Sequence, residues 1–394
     1  MTKIKMFSLS LVAFAIISCG GDTTETNTKT VGKNSNVAPG LESNTSSESS
    51  SAKDNIFRLN FSDPPTFDPA LVTDTTSASI IVEIFSGLVT LNKELDIIPD
   101  LAESWDISDD GRIYTFNLRD DIKFSNGDKV TASDFKWSIE RAANPDTGSM
   151  NAEVYLGDIV GVTEVIEAGG SLTEVSGLKV IDDKTLEITI DEPKTYFLAK
   201  LTYPTAFVLS EKYVTQQGED WIDQPVGTGP FVMTEYQIGQ TLKLKPNDNY
   251  WGEKAKVDGI IMNLAGGVSM AMYENDEVDI TGVGLADLER VKDPNDPLNK
   301  DLVNVPPQFS LNYIGFNVNM PPFDDVNFRK ALSHAVDKEI IADKIYSGLT
   351  KPAFSIIPPG FPGYSPNIEG LSFNEELAKE YLAKSKYADP ASRP

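Results

Sequence analysis

Residues 104–142, SWDISDDGRIYTFNLRDDIKFSNGDKVTASDFKWSIERA, constrain the fold more than any other stretch of the chain. Apolar and polar residues alternate on either side of Asp109-Asp110-Gly111, the pattern of a β-hairpin. IKFSNGDKV reads as a second hairpin, with Asn126-Gly127 suited to a type I′ turn. Thr131 and Asp134 then stand at capping-box spacing, and Phe135, Ile139 and Ala142 share one helical face. Strands and a capped helix follow one another too closely for an all-α or all-β protein.

The same mixture runs through the chain. NIFRLNF (55–61) alternates as a strand. Pro64, Pro65 and Pro69 then impose an extended loop. TSASIIVEIFSGLV sets Ile80, Ile81, Ile84, Phe85 and Leu88 at helical spacing, with Thr and Ser available as caps. LKVIDDKTLEITI is a hairpin turning at Asp182-Asp183, and TLKLKPNDNYWG and VDGIIMNLAG each open with a strand. DDVNFRKALSHAVDKEIIADKI predicts one long amphipathic helix aligning Phe328, Leu332, Val336 and Ile340. NEELAKEYLAKS predicts another, acidic at its start and basic at its end as the helix dipole favours. There is no internal repeat. Interleaved strands and helices over 394 residues argue for an α/β or α+β chain of two or three domains.

The N-terminus is built differently. Lys3 and Lys5 precede MFSLSLVAFAII, an apolar run too short to span a bilayer. Ser18 then leads to Cys19, the one cysteine in the sequence. This is the layout of a secretory signal peptide, residues 1–18. Ile16-Ile17-Ser18-Cys19 resembles the bacterial lipobox, with Ile16 in place of the usual leucine; that resemblance implies lipidation of Cys19 and membrane attachment through it. Residues 19–53 hold almost no large apolar side chains, so beyond Cys19 they read as a disordered tether with ends roughly 30 Å apart. The folded body is expected to begin near residue 54.

Composition removes several function classes. Thirty-four Lys and Arg against 59 Asp and Glu give a net charge of −25, the opposite of what phosphate binding demands, so no nucleic-acid partner is expected. A single cysteine permits no internal disulfide, zinc ribbon or CxxC motif. His334 is the only histidine; it lies in a predicted helix, and its neighbour Ser333 points away by about 100°. No HExxH, GxSxG, Walker A or GxGxxG motif occurs, and no cofactor is expected. Asp109-Asp110 and Asp182-Asp183 fit turn residues, with a calcium site as the alternative. Trp105, Trp137 and Trp251 are assigned to packing. The sequence favours binding over conversion.

Four segments resemble the family 5 extracellular solute-binding proteins, the peptide-, nickel- and related-ligand components of bacterial ABC importers. They are PPTFDPALVTDTTSASIIVEIFSGLVTL, PDLAESWDISDDGRIYTFNLRDDIKFSNGDKVTASDFKWSIERA, PVGTGPFVMTEYQIGQTLKLKPNDNYWG and YIGFNVNMPPFDDVNFRKALSHAVDKEII. The second is the most specific, and all four keep the family's order. The resemblance implies an α/β, two-lobed periplasmic-binding-protein-like fold with an inserted sub-lobe. Lobe I would comprise residues 54–75 and 172–265, the insert 76–171, and lobe II 266–394. Family members return from lobe II to lobe I before ending, so lobe II is expected to be incomplete here.

That resemblance implies reversible capture of a peptide or similar solute in the inter-lobe cleft and delivery to an ABC permease and ATPase, by a monomer in the periplasm or at the cell surface. Nickel chelates, sugars and opines stay open as ligands; a bare metal ion fits poorly with one imidazole. Near family cleft positions lie Thr66 and Phe67, Thr228 and Gly229 in VGTGPF, and Tyr313 and Asn317 around IGF. A lipid-anchored hydrolase and a solute receptor for signalling are the alternative functions.

Overall fold

The structure, a computed structural model, describes residues 55–305, 310–359, 361 and 363–393. The signal segment, Cys19 and the tether lie outside the described residues. The chain forms two compact units that divide in sequence between Gly282 and Val283, and each is described by itself.

In the first unit the strands are β1 (Ile56–Asn60), β2 (Val89–Leu91), β3 (Ile97–Pro99), β4 (Ala102–Ile107), β5 (Ile113–Leu118), β6 (Leu178–Asp182), β7 (Thr185–Thr189), β8 (Phe231–Gln237), β9 (Thr241–Pro246) and β10 (Gly259–Asn263). The helices are α1 (Thr75–Ile84), α2 (Ala132–Ala143), α3 (Ala152–Leu156), α4 (Val162–Glu167), α5 (Phe197–Lys200), α6 (Glu211–Gln217) and α7 (Ser269–Glu274).

One sheet has the order β1-β10-β9-β8. β1 runs parallel to β10, from Ile56 opposite Gly259 to Asn60 opposite Asn263, and the other pairs are antiparallel. Leu59, Leu242, Leu244, Ile260 and Met262 pack with Ile80, Ile81 and Ile84 of α1 into one core. The second sheet, β4-β5-β7-β6, is antiparallel throughout. Its strand β5 alternates so that Tyr114, Phe116 and Leu118 point inward. They join Leu186 and Ile188 of β7 and Phe135 and Ile139 of α2 in a separate core.

This pairing revises the expected domain boundaries. Residues 178–189, expected in lobe I, form β6 and β7 and hydrogen-bond into the sheet of the insert. Helix α1, expected in the insert, belongs to the core of the β1–β10 sheet. Alternation tells which side chains face inward but not which sheet receives them. The contact boundary also falls after Gly282 rather than at 265/266.

Local chemistry accounts for most of the elements. The capping box forms as expected: the Thr131 hydroxyl accepts from Asp134 N, and the Asp134 carboxylate accepts from Thr131 N at 2.9 Å. At α1 the cap is Asp74, whose Oδ1 accepts from Ser77 N at 2.8 Å, rather than a Thr or Ser. The expected second hairpin shrinks to one bridge, Lys123 to Lys129. Of its two turn residues only Gly127 takes positive φ, 90°, so the turn is not the type I′ that Asn-Gly permits. Instead Asn126 Oδ1 accepts from Asp128 N at 3.0 Å.

The second unit contains α8 (Leu285–Lys292), α9 (Val326–Ala335), α10 (Lys338–Ile340) running into a π turn (Ile341–Ile345), and α11 (Glu375–Lys384). The single long helix expected from Asp324 is therefore broken. Val336 is extended, with φ −97° and ψ 116°. Asp337 then caps anew, its Oδ1 accepting from Glu339 N at 3.1 Å and Ile340 N at 3.0 Å. Helices α9 and α11 lie together, with the His334 ring stacked on Tyr381.

Losing the α2 cap should cost about 1 kcal/mol. Thr131→Ala is therefore expected to lower the urea midpoint of the first unit by that equivalent. Ser133→Ala, at the second helical position, should leave it unchanged.

Candidate ligand-binding site

Parallel strands β1 and β10 both end at the same edge of their sheet, the edge at which open α/β sheets hold ligands. The chain leaves β1 there through Phe61–Asp74, and three prolines keep this loop out of helix. Both cores hold it. Asp63 accepts from Tyr236 Oη at 2.9 Å and from Gly239 N at 2.7 Å. Asp68 accepts a two-pronged bond from Arg141 of α2, with Nη1–Oδ1 3.1 Å and Nη2–Oδ2 2.5 Å. The Val72 carbonyl accepts from Asn151 Nδ2 at 2.7 Å and Tyr203 Oη at 3.2 Å. A buried bidentate pair fixes geometry strongly, because removing either partner strands a charge.

Within this loop Thr66 is half-buried; its N donates to Ser77 Oγ at 3.2 Å and its Oγ1 accepts from Asp68 N at 3.0 Å. Phe67 is 4% exposed and meets Tyr236 edge-on, with centroids 4.8 Å apart. It is a core side chain in this structure.

The VGTGPF loop docks on the end of α1. The Thr228 hydroxyl, on a residue 1% exposed, accepts from Ser86 N at 3.0 Å. Gly229 N donates to Ile84 O at 2.8 Å. A Cβ on Gly227 would come within 2.0 Å of Ile84 O, and one on Gly229 within 2.6 Å of Glu83 O. The glycines are demanded by backbone meeting backbone. Thr228 and Gly229 are thus placed in the framework that supports α1.

Beside this junction sits a group of polar side chains that motif reading passed over. Burial pushes the Glu83 carboxyl up to about 7, with no opposing bond. Burial also pushes Asp100 up to about 7, against the pull of Gly87 N–H, Arg119 and Trp251. Burial and these two carboxylates raise the Tyr250 phenol to about 12. Arg119 donates through Nε to the Asp100 carbonyl at 2.6 Å and lies 3.9 Å above the Trp251 ring. The signal available in sequence was an acid, Glu83, inside the apolar run IIVEIF.

In the second unit Tyr313 is 77% exposed. Asn317 is also exposed, with Oδ1 accepting from Asn319 N at 3.1 Å. His334 is buried, its Nδ1 2.7 Å from Ser372 O, and Ser333 Oγ donates to Arg329 O at 3.1 Å. Serine and histidine here serve separate backbone contacts. Among the described residues no group of three or more His, Cys, Asp or Glu could hold a metal ion, and no helix is long and apolar enough to cross a membrane.

Comparison with known proteins places these elements. Residues 96–393 match the family model of the bacterial extracellular solute-binding proteins, family 5. The chain belongs to that family. It is 32% identical over 365 residues to the dipeptide-binding protein DppE of Bacillus subtilis, covering 90% of this chain and 65% of that one. It is 31% identical to the probable deoxycholate-binding periplasmic protein YgiS of Escherichia coli, over 85% of this chain and 64% of that one. A solved oligopeptide-binding protein from Borrelia burgdorferi superposes with a TM-score of 0.72 at 30% identity, covering 85% of this chain and 67% of that one. The chain spans just under two thirds of the length of the curated relatives it matches. The likeness assigns the two-lobed α/β binding-protein fold, and these relatives are binding proteins, not enzymes.

Both raised carboxyls bind their proton more tightly in the folded than in the unfolded chain. Stability from this source is full below the unfolded value, near 4, and falls as pH rises toward 7. Glu83→Gln should therefore stabilise the first unit by about 2 kcal/mol at pH 8 and by much less at pH 4.5. Thermal melts of both proteins across this range measure the difference.

Proposed function

We propose that this solute-binding family member is the substrate-binding component of an ABC importer and that its ligand is a peptide or a similar small solute. The observation that carries the reading is the family match over residues 96–393, together with a peptide-binding relative aligned to nine tenths of the chain. The probable deoxycholate-binding relative marks how far the ligand can vary on this scaffold.

In this reading the Phe61–Asp74 loop, held in one geometry before ligand arrives, lowers the ordering cost of binding. Thr66 presents its hydroxyl to the ligand within the first unit; in the second unit Tyr313 and Asn317 are exposed aromatic and amide groups of the kind a ligand contacts. Phe67, Thr228 and Gly229 act behind them, keeping the loops in place. Cleavage after Ser18 and lipidation of Cys19 attach the protein to the outside of the cytoplasmic or outer membrane. The following polar segment gives a monomeric body the reach to meet a permease and its ATPase.

Native mass spectrometry of the purified full chain should show a retained small ligand, and titration with trialanine or a mixed tripeptide library should saturate without releasing new amines. Asn317→Ala is expected to weaken this binding by about tenfold, some 1.4 kcal/mol. Amine release would contradict the binding role, and no retained ligand with no saturation would contradict the peptide class.

A further inference from the structure

Arg58 makes four hydrogen bonds to one short segment, residues 276–279. Its Nε donates to Asp279 Oδ2 at 3.1 Å, its Nη2 to Asp279 Oδ1 at 2.9 Å and its backbone N to Oδ2 at 2.7 Å. Nη1 donates to the Asp276 carbonyl at 2.6 Å. In return Asp279 N donates to Arg58 O at 2.8 Å, and Leu59 forms a parallel bridge with Ile280. One residue of β1 thus occupies both oxygens of Asp279 and lays residues 276–280 along the strand's second edge.

The position of this clasp gives it meaning. Asp276 adopts φ 59°, a left-handed conformation uncommon outside glycine, and its carbonyl is the one Arg58 Nη1 holds. Val278 is buried beneath the segment. After Ile280 the hold stops: among the described residues, the hydroxyl of Thr281 bonds only the adjacent Gly282 carbonyl. The division between the two units follows at once, between Gly282 and Val283, with Gly284 next in the chain. Glycines on both sides of Val283 leave the backbone free to turn. The clasp therefore marks where the connection stops belonging to the first unit.

We propose that Arg58 is a positioning residue for ligand capture: by clamping residues 276–280 onto β1 it fixes the pivot about which the second unit moves. This rests on the solute-binding reading. Hinges absorb a conformational change at a few residues, and their reach depends on what is held rigid beside them. With the clasp intact the free connection is short. With it open, the connection lengthens back to Asp276, and the share of molecules poised for capture falls, weakening apparent affinity by the same factor. Both partners are part-exposed, with side chains 40% and 35% accessible, so such a pair adds little to global stability. That leaves Arg58 variants folded and testable.

The test uses the full chain with Cys19→Ser and spin labels at Ile238→Cys in the first unit and Lys379→Cys in the second. In Arg58→Gln, amides of residues 277–280 should exchange about tenfold faster while those of β9 stay unchanged. The distribution of label distances should widen by at least about half, and Arg58→Lys, which keeps charge but loses the fork, should fall between. Unchanged exchange would overturn the clasp. Faster exchange with an unchanged distance distribution would reduce it to a local structural contact and overturn the positioning role. Both readouts need no ligand, so a failure of the solute-binding reading shows up separately, as absence of trialanine binding to the unaltered chain.

Discussion

Five residues at the start of the described chain pair in parallel with five residues some two hundred positions later. Asn60 Oδ1 accepts from Asn263 Nδ2 at 2.7 Å across a separation of 203 residues. Closing a chain excursion of that length costs roughly 5 kcal/mol in entropy. The closure is offset by the burial of Leu59, Ile260 and Met262 beneath α1, at about 25 cal/mol for each square ångström of apolar surface. Everything between the two strands is consequently built as an excursion that must return. The β4-β5-β7-β6 sheet and α2 form a second core inside it, and the β8–β9 hairpin brings the chain back. Parallel pairing also sets both strand ends at one edge, and the proline loop leaves from there.

The excursion is bound to the first sheet by close backbone approach and a buried ion pair as well as by apolar side chains such as Phe207, Leu209 and Trp221. Gly227 and Gly229 let one loop touch the last carbonyls of α1, and the Arg141–Asp68 pair ties α2 to the loop after β1. Such contacts tolerate little movement. They favour a rigid platform. The cost appears nearby, where Glu83 and Asp100 are held in surroundings that disfavour their charges. Elsewhere the strongly acidic surface is managed by many exposed Lys–carboxylate pairs, each worth little alone.

Local elements were legible in the sequence because their causes are local. The Thr131/Asp134 box, the Asp110-Gly111 turn and the alternation in β5 each need only a few neighbouring residues, and each forms. Val336 shows the limit: its periodicity continues a helix, yet an extended backbone followed by the Asp337 cap divides it. Asn126-Gly127 allows a tighter turn than the one adopted, since Asn126 is engaged with Asp128. Distant relations were legible only through resemblance. Nothing within β6 and β7 says that β7 pairs with β5, and β6 with β7, rather than with strands of lobe I. The raised carboxyls depend on burial by residues such as Tyr250 and Trp251, far from them in sequence. Of the expected site residues, Thr66, Tyr313 and Asn317 remain accessible, while Phe67, Thr228 and Gly229 are taken up by packing that their residue types alone equally allow.

The β1–β10 pairing is the closure on which the first unit depends. Native-state hydrogen exchange along a urea gradient tests it most directly. The amides of β1 should exchange only with global unfolding of the first unit, on the same urea dependence as those of β9 and β10. If β1 amides exchange through a separate opening of lower free energy, with β9 and β10 still protected, the pairing is a late addition and the claim is wrong.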